Sequence, residues 1–322
     1  ENFYINRFGR VLYSMFFEGY TEKVWGRHPR DISSEWGAQR VKGLSIRAIL
    51  KDMLGKIFLS PEKRAASKET SLIESFYYPK FGPGQLWEQV ADRIKEMGGT
   101  ITMNADAVAF EASGGRISGV TVKTGGGRTT LKCDYCISSM PIKDLVACME
   151  SAPENVRRIA SGLPYRDFVT VGLLVSSLAL TNKTNIPTLG NIVPDCWIYV
   201  QDTDVKLGRV QIFNNWSPYM VKDPEHTVWI GLEYFCTEGD DFWNMADEDC
   251  IDFAIRELVR IGILANENDV LDSHRERVRK AYPAYFDTYS EMDSVVRYLD
   301  AYENLFCIRR NGQHRYNNMD HS

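Results

Sequence analysis

The densest chemistry in this sequence lies in its last fourteen residues, Arg309 to Ser322. Arg309 and Arg310 are followed by Asn311, Gly312, His314, Tyr316 and the Asn317-Asn318 pair, then by Met319-Asp320-His321-Ser322. The apolar run Leu305-Phe306-Cys307-Ile308 ahead of them reads as a strand. Strand, polar turn, asparagine cap and helix start together make an anion site. The first N–H groups of a helix lack partners within it, and the helix dipole adds partial positive charge. Arg310 supplies a guanidinium suited to bidentate phosphate contact. The sequence ends at Ser322, where that helix begins.

Other candidates are thinner. Cys133-Asp134-Tyr135-Cys136 has metal-like spacing, but no second Cys or His pair accompanies it. In a strand of period two these cysteines face opposite sides, so buried thiols, with no metal and no mutual disulfide, are expected. The five histidines form no His-x-x-x-His or Ser-His-Asp pattern, which leaves hydrolase chemistry without support. His314 alone sits in a rich segment, facing either a substrate or a structural hydrogen bond. Arg166, in Tyr165-Arg166-Asp167, suits an anionic substrate or, as the simpler reading, an ion pair with Asp167 or another nearby acid. Asn214-Asn215-Trp216 and Glu233-Tyr234 belong to strand-like runs whose alternation turns some side chains toward a ligand. Trp216 and Tyr234 are the substrate candidates there, with ordinary aromatic packing as the competing reading.

Elements must position these residues. Residues 1–80 are rich in aromatic and basic residues and look helical, with Ser60–Thr70 a charged loop. A helix is expected over 85–97, with Leu86, Val90, Ile94 and Met97 on one face, stopped by Gly98-Gly99. Short strands follow at 100–103, 105–110 and 116–122, the last two joined at Gly114-Gly115. After a turn at Gly125-Gly126-Gly127, a strand runs from Leu131 to Ser138. Further strands are expected at 168–180, 197–201, 210–216 and 228–235. Asp247 caps a helix with Ile251, Ala254, Ile255, Leu258 and Val259 toward the core. Tyr282-Pro283-Ala284-Tyr285 breaks the segment after it.

The totals narrow the class. At 322 residues the chain holds one large or two medium domains, and 44% hydrophobic content supports a substantial core. A net charge of −5 argues against nucleic acid as a partner. Seven scattered cysteines suit a reducing, cytoplasmic compartment. The longest apolar stretch, 168–180, falls short of the roughly 20 residues of a membrane span.

The segment 309–322 resembles the C-terminal flavin-contacting motif of the FAD-dependent amine-oxidase and protoporphyrinogen-oxidase superfamily. The resemblance is to its branch related to UDP-galactopyranose mutase. Arg310, Tyr316, Met319 and Asp320 match that motif, while a glycine is expected where Arg309 stands. Tyr20-Thr21-Glu22-Lys23-Val24-Trp25-Gly26, Asp31-Ile32-Ser33 and 36–45, with Trp36, Arg40 and Lys42, resemble the substrate-lobe signature of the same family.

The resemblance implies an α/β fold with an incomplete glutathione-reductase-type FAD-binding lobe, 81–145 and 301–322. It implies a mixed-sheet substrate domain with helices, 1–80 and 146–300. No strand-linked G-x-G-x-x-G is present, so the chain reads as a fragment that holds FAD weakly or not at all by itself. Implied cofactor contacts are Val108 at the adenine, Ser139 and Pro141 near the ribityl–pyrophosphate, and Arg310, Asn311, Gly312, Asn318, Met319 and Asp320. Implied substrate contacts are Arg166, Trp216, Tyr234, His314 and Tyr316. The implied reaction is hydride transfer from a small organic substrate to flavin N5. Non-redox mutase chemistry on a sugar nucleotide and an inert scaffold remain as alternatives.

Overall fold

A computed structural model of the protein describes residues 1–32 and 76–317. Residues 33–45 of the substrate-lobe signature, the Ser60–Thr70 loop, and Asn318, Met319 and Asp320 lie outside the described residues. The protein is mixed α/β, with three sheets and helices among the described residues. It divides into two compact units. The first comprises Glu1–Glu88, Val169–Phe235 and Asn244–Glu276, and the second Gln89–Phe168, Cys236–Trp243 and Arg277–Ser322.

The N-terminus is helical, as its composition suggests. Helices α1 (Asn2–Phe8), α2 (Arg10–Tyr13) and α3 (Gly19–Trp25) are joined by a π-helical turn at Ser14–Glu18. Tyr4, Tyr13 and Trp25 are buried. Lys23 on α3 donates to the carbonyl oxygens of Val200, Asp202 and Leu207, fixing that loop within the first unit.

Helix α4 (Pro83–Glu96) matches the expected span. Its apolar residues share one face, but that face is uncovered: no residue of α4 is buried, and Leu86, Val90, Ile94 and Met97 are all exposed. Thr100–Met103 is irregular rather than a strand, since no described strand pairs with it. Strands β1 (Asp106–Ser113), β2 (Arg116–Thr124) and β3 (Gly127–Lys132) then form an antiparallel meander. Gly114 and Gly115 both take positive φ, 57° and 74°, which the hairpin turn between β1 and β2 demands.

The single strand expected at 131–138 is in fact two. β3 ends at Lys132, and β4 (Cys136–Ser138) begins a different sheet. Asp134, between them, gives its carbonyl to the Asn304 side chain, and the Cys136 N–H donates to the Asn304 carbonyl. The chain thus leaves β2 for a new neighbour. Cys133 lies in this break, so alternation along one strand does not relate it to Cys136. All seven cysteines are free thiols.

Helices α5 (Ile142–Ala147) and α6 (Glu154–Ser161) follow. Leu145, Val146, Val156 and Ile159 enter a core shared with Ile117, Leu163, Val295 and Leu299. Each such fully buried aliphatic side chain contributes about 1.5–3 kcal/mol.

A five-stranded sheet has the order β6-β7-β8-β5-β9. Its strands are β5 (Tyr165–Val175), β6 (Trp197–Tyr199), β7 (Arg209–Ile212), β8 (Val228–Cys236) and β9 (Val270–Pro283). β5 starts and stops earlier than its apolar run. At Ser176 the backbone N–H turns to the Asp269 carbonyl. β7 is shorter than expected because Phe213–Trp216 winds into a helical turn, α7. Buried Asn214 replaces the lost ladder: its carbonyl accepts from Trp229 N–H and its amide donates to the Thr227 carbonyl. The turn α8 (Asp241–Asn244) and helix α9 (Asp247–Arg260) complete this region. The N-cap of α9 is Ala246 rather than Asp247, which instead accepts from Arg275. Its buried face is Cys250, Ala254, Glu257 and Leu258.

Helix α10 (Met292–Asp300), strand β10 (Leu305–Cys307) and the short helix α11 (Arg309–Gly312) close the described chain. β10 pairs in parallel with β4, Leu305 opposite Cys136 and Cys307 opposite Ser138. Asn304, 1% exposed, controls this junction. Its side chain accepts from Ile117 N–H and donates to the Ile117 and Asp134 carbonyls. Asn304→Ala removes the side-chain partner of the buried Ile117 N–H and carbonyl and of the half-buried Asp134 carbonyl, and is expected to lower unfolding free energy by roughly 2–4 kcal/mol. Urea denaturation measures it, and a loss under about 1 kcal/mol contradicts the assignment.

Candidate functional site

The C-terminal motif begins where β10 ends. Ile308 N–H donates to the Ser138 carbonyl at 2.9 Å, extending the seam to the end of β4. A helical turn, α11, then occupies the place of the expected polar loop. It starts at Arg309, whose φ of 67° lies in the left-handed region that favours glycine. The glycine expected at this position therefore has a backbone reason. Gly312 has a different one: a Cβ there would stand 2.7 Å from the Ser138 carbonyl oxygen and 3.3 Å from Ser139 Cα. The fold thus brings Asn311 and Gly312 to the β4 end, where Ser139 and Pro141 follow.

Two buried polar atoms at this seam, Ser138 Oγ and Asn311 Oδ1, have no hydrogen-bond partner among the described residues. Buried polar groups are rarely left so, and each such case calls for an explanation. They fit a polar cofactor such as FAD: a hydroxyl and an amide oxygen with unused capacity, beside a backbone approach only glycine permits. Val108 adds a backbone feature of the same kind. The β1–β2 ladder pairs Ala107 with Val122 and Ala109 with Thr121, leaving Val108 as the extra residue of a β-bulge.

Arg310 behaves differently from expectation. Its Nε and Nη2 donate to the Asn317 carbonyl at 3.2 and 2.7 Å, and Nη1 donates to the Ala281 carbonyl at 3.0 Å. Its guanidinium also lies over the rings of Tyr282 and Tyr316, 5.3 and 4.9 Å from their centroids. It acts as a clasp for the tail, with its donors on carbonyls rather than phosphate. Tyr316 stacks on Tyr282, and its N–H donates to Tyr285 Oη at 2.6 Å. Tyr282 and Tyr285, expected from the sequence to break a strand, hold the tail through these contacts. Their spacing around Pro283 was the available signal.

His314 is fully buried, edge-to-face with Tyr165 at 4.8 Å and near Tyr289. Its Nε2 lies 3.0 Å from the Ala284 carbonyl, which assigns the proton to Nε2 and leaves Nδ1 without a partner among the described residues. Burial drives its pKa down to about 4, partly offset by the Ala284 hydrogen bond, while Lys143 lowers it further. His314 is thus a neutral, structural imidazole. Tyr165, also deeply buried, has its phenol pKa raised by desolvation and its hydroxyl without a partner among the described residues.

Arg166 donates to Thr237 Oγ1 at 2.6 Å, and burial lowers its pKa. Asp167, the pairing partner expected for it, instead accepts from the backbone N–H groups of Glu238 and Lys280. Trp216 belongs to the first unit, in an aromatic group with Tyr78, Phe76 and Trp197. Its indole Nε1 is buried without a partner among the described residues. Tyr234 is wholly buried against Phe253, its pKa raised by desolvation and by Glu257. It is a core residue, and the substrate reading of it is withdrawn. Asn214 and Asn215 use their amides on backbone carbonyls, and Glu233 pairs with Arg209 and Gln211, so these are structural too.

No family model matches the sequence, and no curated protein matches it at a significant level. Solved structures do. A reduced UDP-galactopyranose mutase aligns with 99% of this chain and 64% of its own, at 20% identity and a TM-score of 0.73. A protein from Exiguobacterium sp. 255-15, named a protoporphyrinogen oxidase, aligns over 94% of this chain and 59% of its own, at 13% identity and a TM-score of 0.61. The chain shares the fold of these two solved structures. It spans less than two thirds of the length of either of these proteins. Among the described residues no helix is long and apolar enough to cross a membrane.

Two expectations follow. Relief of the left-handed strain in Arg309→Gly should raise unfolding free energy by about 0.5–1 kcal/mol, net of glycine's larger unfolded-state entropy. A lower urea midpoint instead would show that the arginine side chain outweighs its backbone. For His314, the folded pKa lies below the unfolded value, so the unfolded chain binds more protons between them. Its contribution to stability is therefore complete above about pH 6.5, falls away as pH drops toward 4, and amounts to roughly 3 kcal/mol. His314→Gln should flatten that part of the pH–stability curve, and an unchanged slope refutes the assignment.

Proposed function

We propose that this chain carries substrate-holding elements and part of the FAD-contacting elements of a flavoenzyme that oxidises a small organic substrate. The reading rests above all on the seam of β4 and α11. There, among the described residues, Ser138 Oγ and Asn311 Oδ1 are buried without partners, and the missing Cβ of Gly312 lets the α11 backbone pack against Ser138 and Ser139. Bound FAD would supply the redox chemistry, accepting hydride at N5. The residues assigned to hold it are Ser139, Pro141, Asn311 and Gly312 at the seam, with the Val108 bulge toward the adenine. Asn318, Met319 and Asp320 would follow, their N–H groups offsetting negative charge. Arg310 fixes the tail from behind by its carbonyl contacts. Trp216 and Tyr316, with Arg166, remain the substrate-side assignments.

The lobe is read as glutathione-reductase-type and as incomplete in this chain. The uncovered apolar face of α4 supports this, as do exposed Ile137 and Phe306 on the two-stranded parallel pair. Parallel sheets ordinarily have both faces covered.

A sugar-nucleotide mutase is the second reading, favoured by the TM-score of 0.73 over 99% of the chain. Against it stands the engagement of the arginines. A mutase needs fixed cations for a diphosphate. Yet Arg209 is 4% exposed and paired with Glu233, and Arg310, though it keeps its charge, directs Nε, Nη1 and Nη2 at backbone carbonyls. The deciding experiment gives the whole protein, with reduced flavin, a panel of UDP-sugars, and the oxidised protein a panel of amines and other small organic substrates. Anaerobic flavin bleaching by a member of the second panel is expected. Ring contraction of a UDP-sugar without net flavin oxidation, abolished by Arg310→Ala, overturns the oxidoreductase reading.

A further inference from the structure

We infer that the cleft between α5 and α6 is a binding site for a phosphate-bearing small molecule, separate from the flavin-contacting seam. The cleft measures about 430 Å³, within the usual range of small-molecule sites. Lys143, Arg157, Arg158 and Ser161 line it, with Val146 and Ala147 as its apolar part and Glu154 as its one carboxylate. The chain as a whole is acidic, so three cations in one cleft stand out against its general surface.

How each cation is held decides what the cleft can bind. Arg158 is neutralised by a two-point contact with Glu291, at 3.1 and 2.5 Å, and is a wall rather than a receptor. Arg157 is fixed differently. Its Nε donates to the Ala152 carbonyl at 2.9 Å and Nη2 to the Met149 carbonyl at 2.5 Å, and among the described residues no carboxylate pairs with it. Two carbonyl contacts set the plane of the guanidinium while leaving its full charge and Nη1 for a ligand. Lys143 has a 3.5 Å contact with the Leu163 carbonyl and likewise no acidic partner among the described residues. A pre-set guanidinium and an ammonium point charge on one cavity are the pair that recognises phosphate oxygens. Glu154, in the first turn of α6, opposes them and disfavours a ligand with charge on that side. The cavity exceeds inorganic phosphate in size, so the ligand is a phosphorylated organic molecule with an apolar part against Val146 and Ala147.

The test uses this chain and inorganic pyrophosphate, titrated by calorimetry at low salt, where screening is weak. One saturable site is expected. Lys143→Gln should weaken it about threefold to fivefold, Lys143→Arg should largely restore it, and Glu154→Gln should tighten it by a similar factor, the scale of partly exposed charge pairs. Neither Lys143 nor Glu154 has a strong structural contact, and unchanged thermal unfolding without ligand will confirm that the variants fold. Added FAD should leave the binding intact. Absence of saturable binding, equal affinity in all variants, or displacement by FAD overturns the inference.

Discussion

Asn304 is the constraint on which the second unit depends. The chain must pass from an antiparallel meander to a parallel pair, and such a change of partner strands backbone groups that no ladder serves. One buried carboxamide, placed just before β10, takes up Ile117 N–H, the Ile117 carbonyl and the Asp134 carbonyl, while its own backbone carbonyl receives Cys136 N–H. Leaving such groups unpaired would cost about 1–3 kcal/mol each. With the register of β4 and β10 set there, Ile308 N–H meets the Ser138 carbonyl and Gly312 meets Ser138 and Ser139. The position of the candidate site is therefore inherited from a side chain that takes no part in it.

Charge is managed by two different devices. Arg209 and Glu233, each 4% exposed, form a buried ion pair, supported by Gln211 and by the rings of Trp197 and Phe235 over the guanidinium. Burying two charges carries a desolvation penalty that the pair offsets only when its remaining groups are also satisfied. Arg310 is held by carbonyl dipoles and tyrosine faces. Carbonyls orient a cation without cancelling its charge. Arg310 thus keeps a net positive potential at the tail, whereas Arg209 does not bring one to the sheet.

Much of this was legible in the sequence. The α4 and α9 helices follow from their apolar spacing, and the β1–β2 hairpin from paired glycines. Three things were not. The split of 131–138 turns on Asn304, some 170 residues away, and no local pattern announces it. The turn at α7 depends on Asn214 reaching Thr227 and Trp229. The role of Arg310 depends on the Ala281 carbonyl and on Tyr282, which the chain brings back by a long route. In each case a side chain took over a backbone's hydrogen bonding across a large sequence separation, and periodicity carries no trace of that.

The same distinction separates function from structure among the polar residues. Asn214, Asn215, Asn304 and Glu233 are polar residues in or beside strands, and each has its side chain matched to specific partners. Such residues are explained by the fold alone. At the seam the fold explains less. Arg309 and His314 hold left-handed backbone at φ 67° and 46°, and Ser138 and Asn311 keep buried oxygens without partners among the described residues; in β1, Val108 stands outside its ladder. Each departure carries a cost of about 1–3 kcal/mol that a purely structural role would have no reason to retain. Departures of this kind persist where something beyond the fold requires them. Three of these residues, Arg309, Asn311 and His314, belong to the segment that resembles a flavin-contacting motif. In the first unit the indole N–H of Trp216 is likewise buried without a partner among the described residues, beside Tyr78 and Trp197.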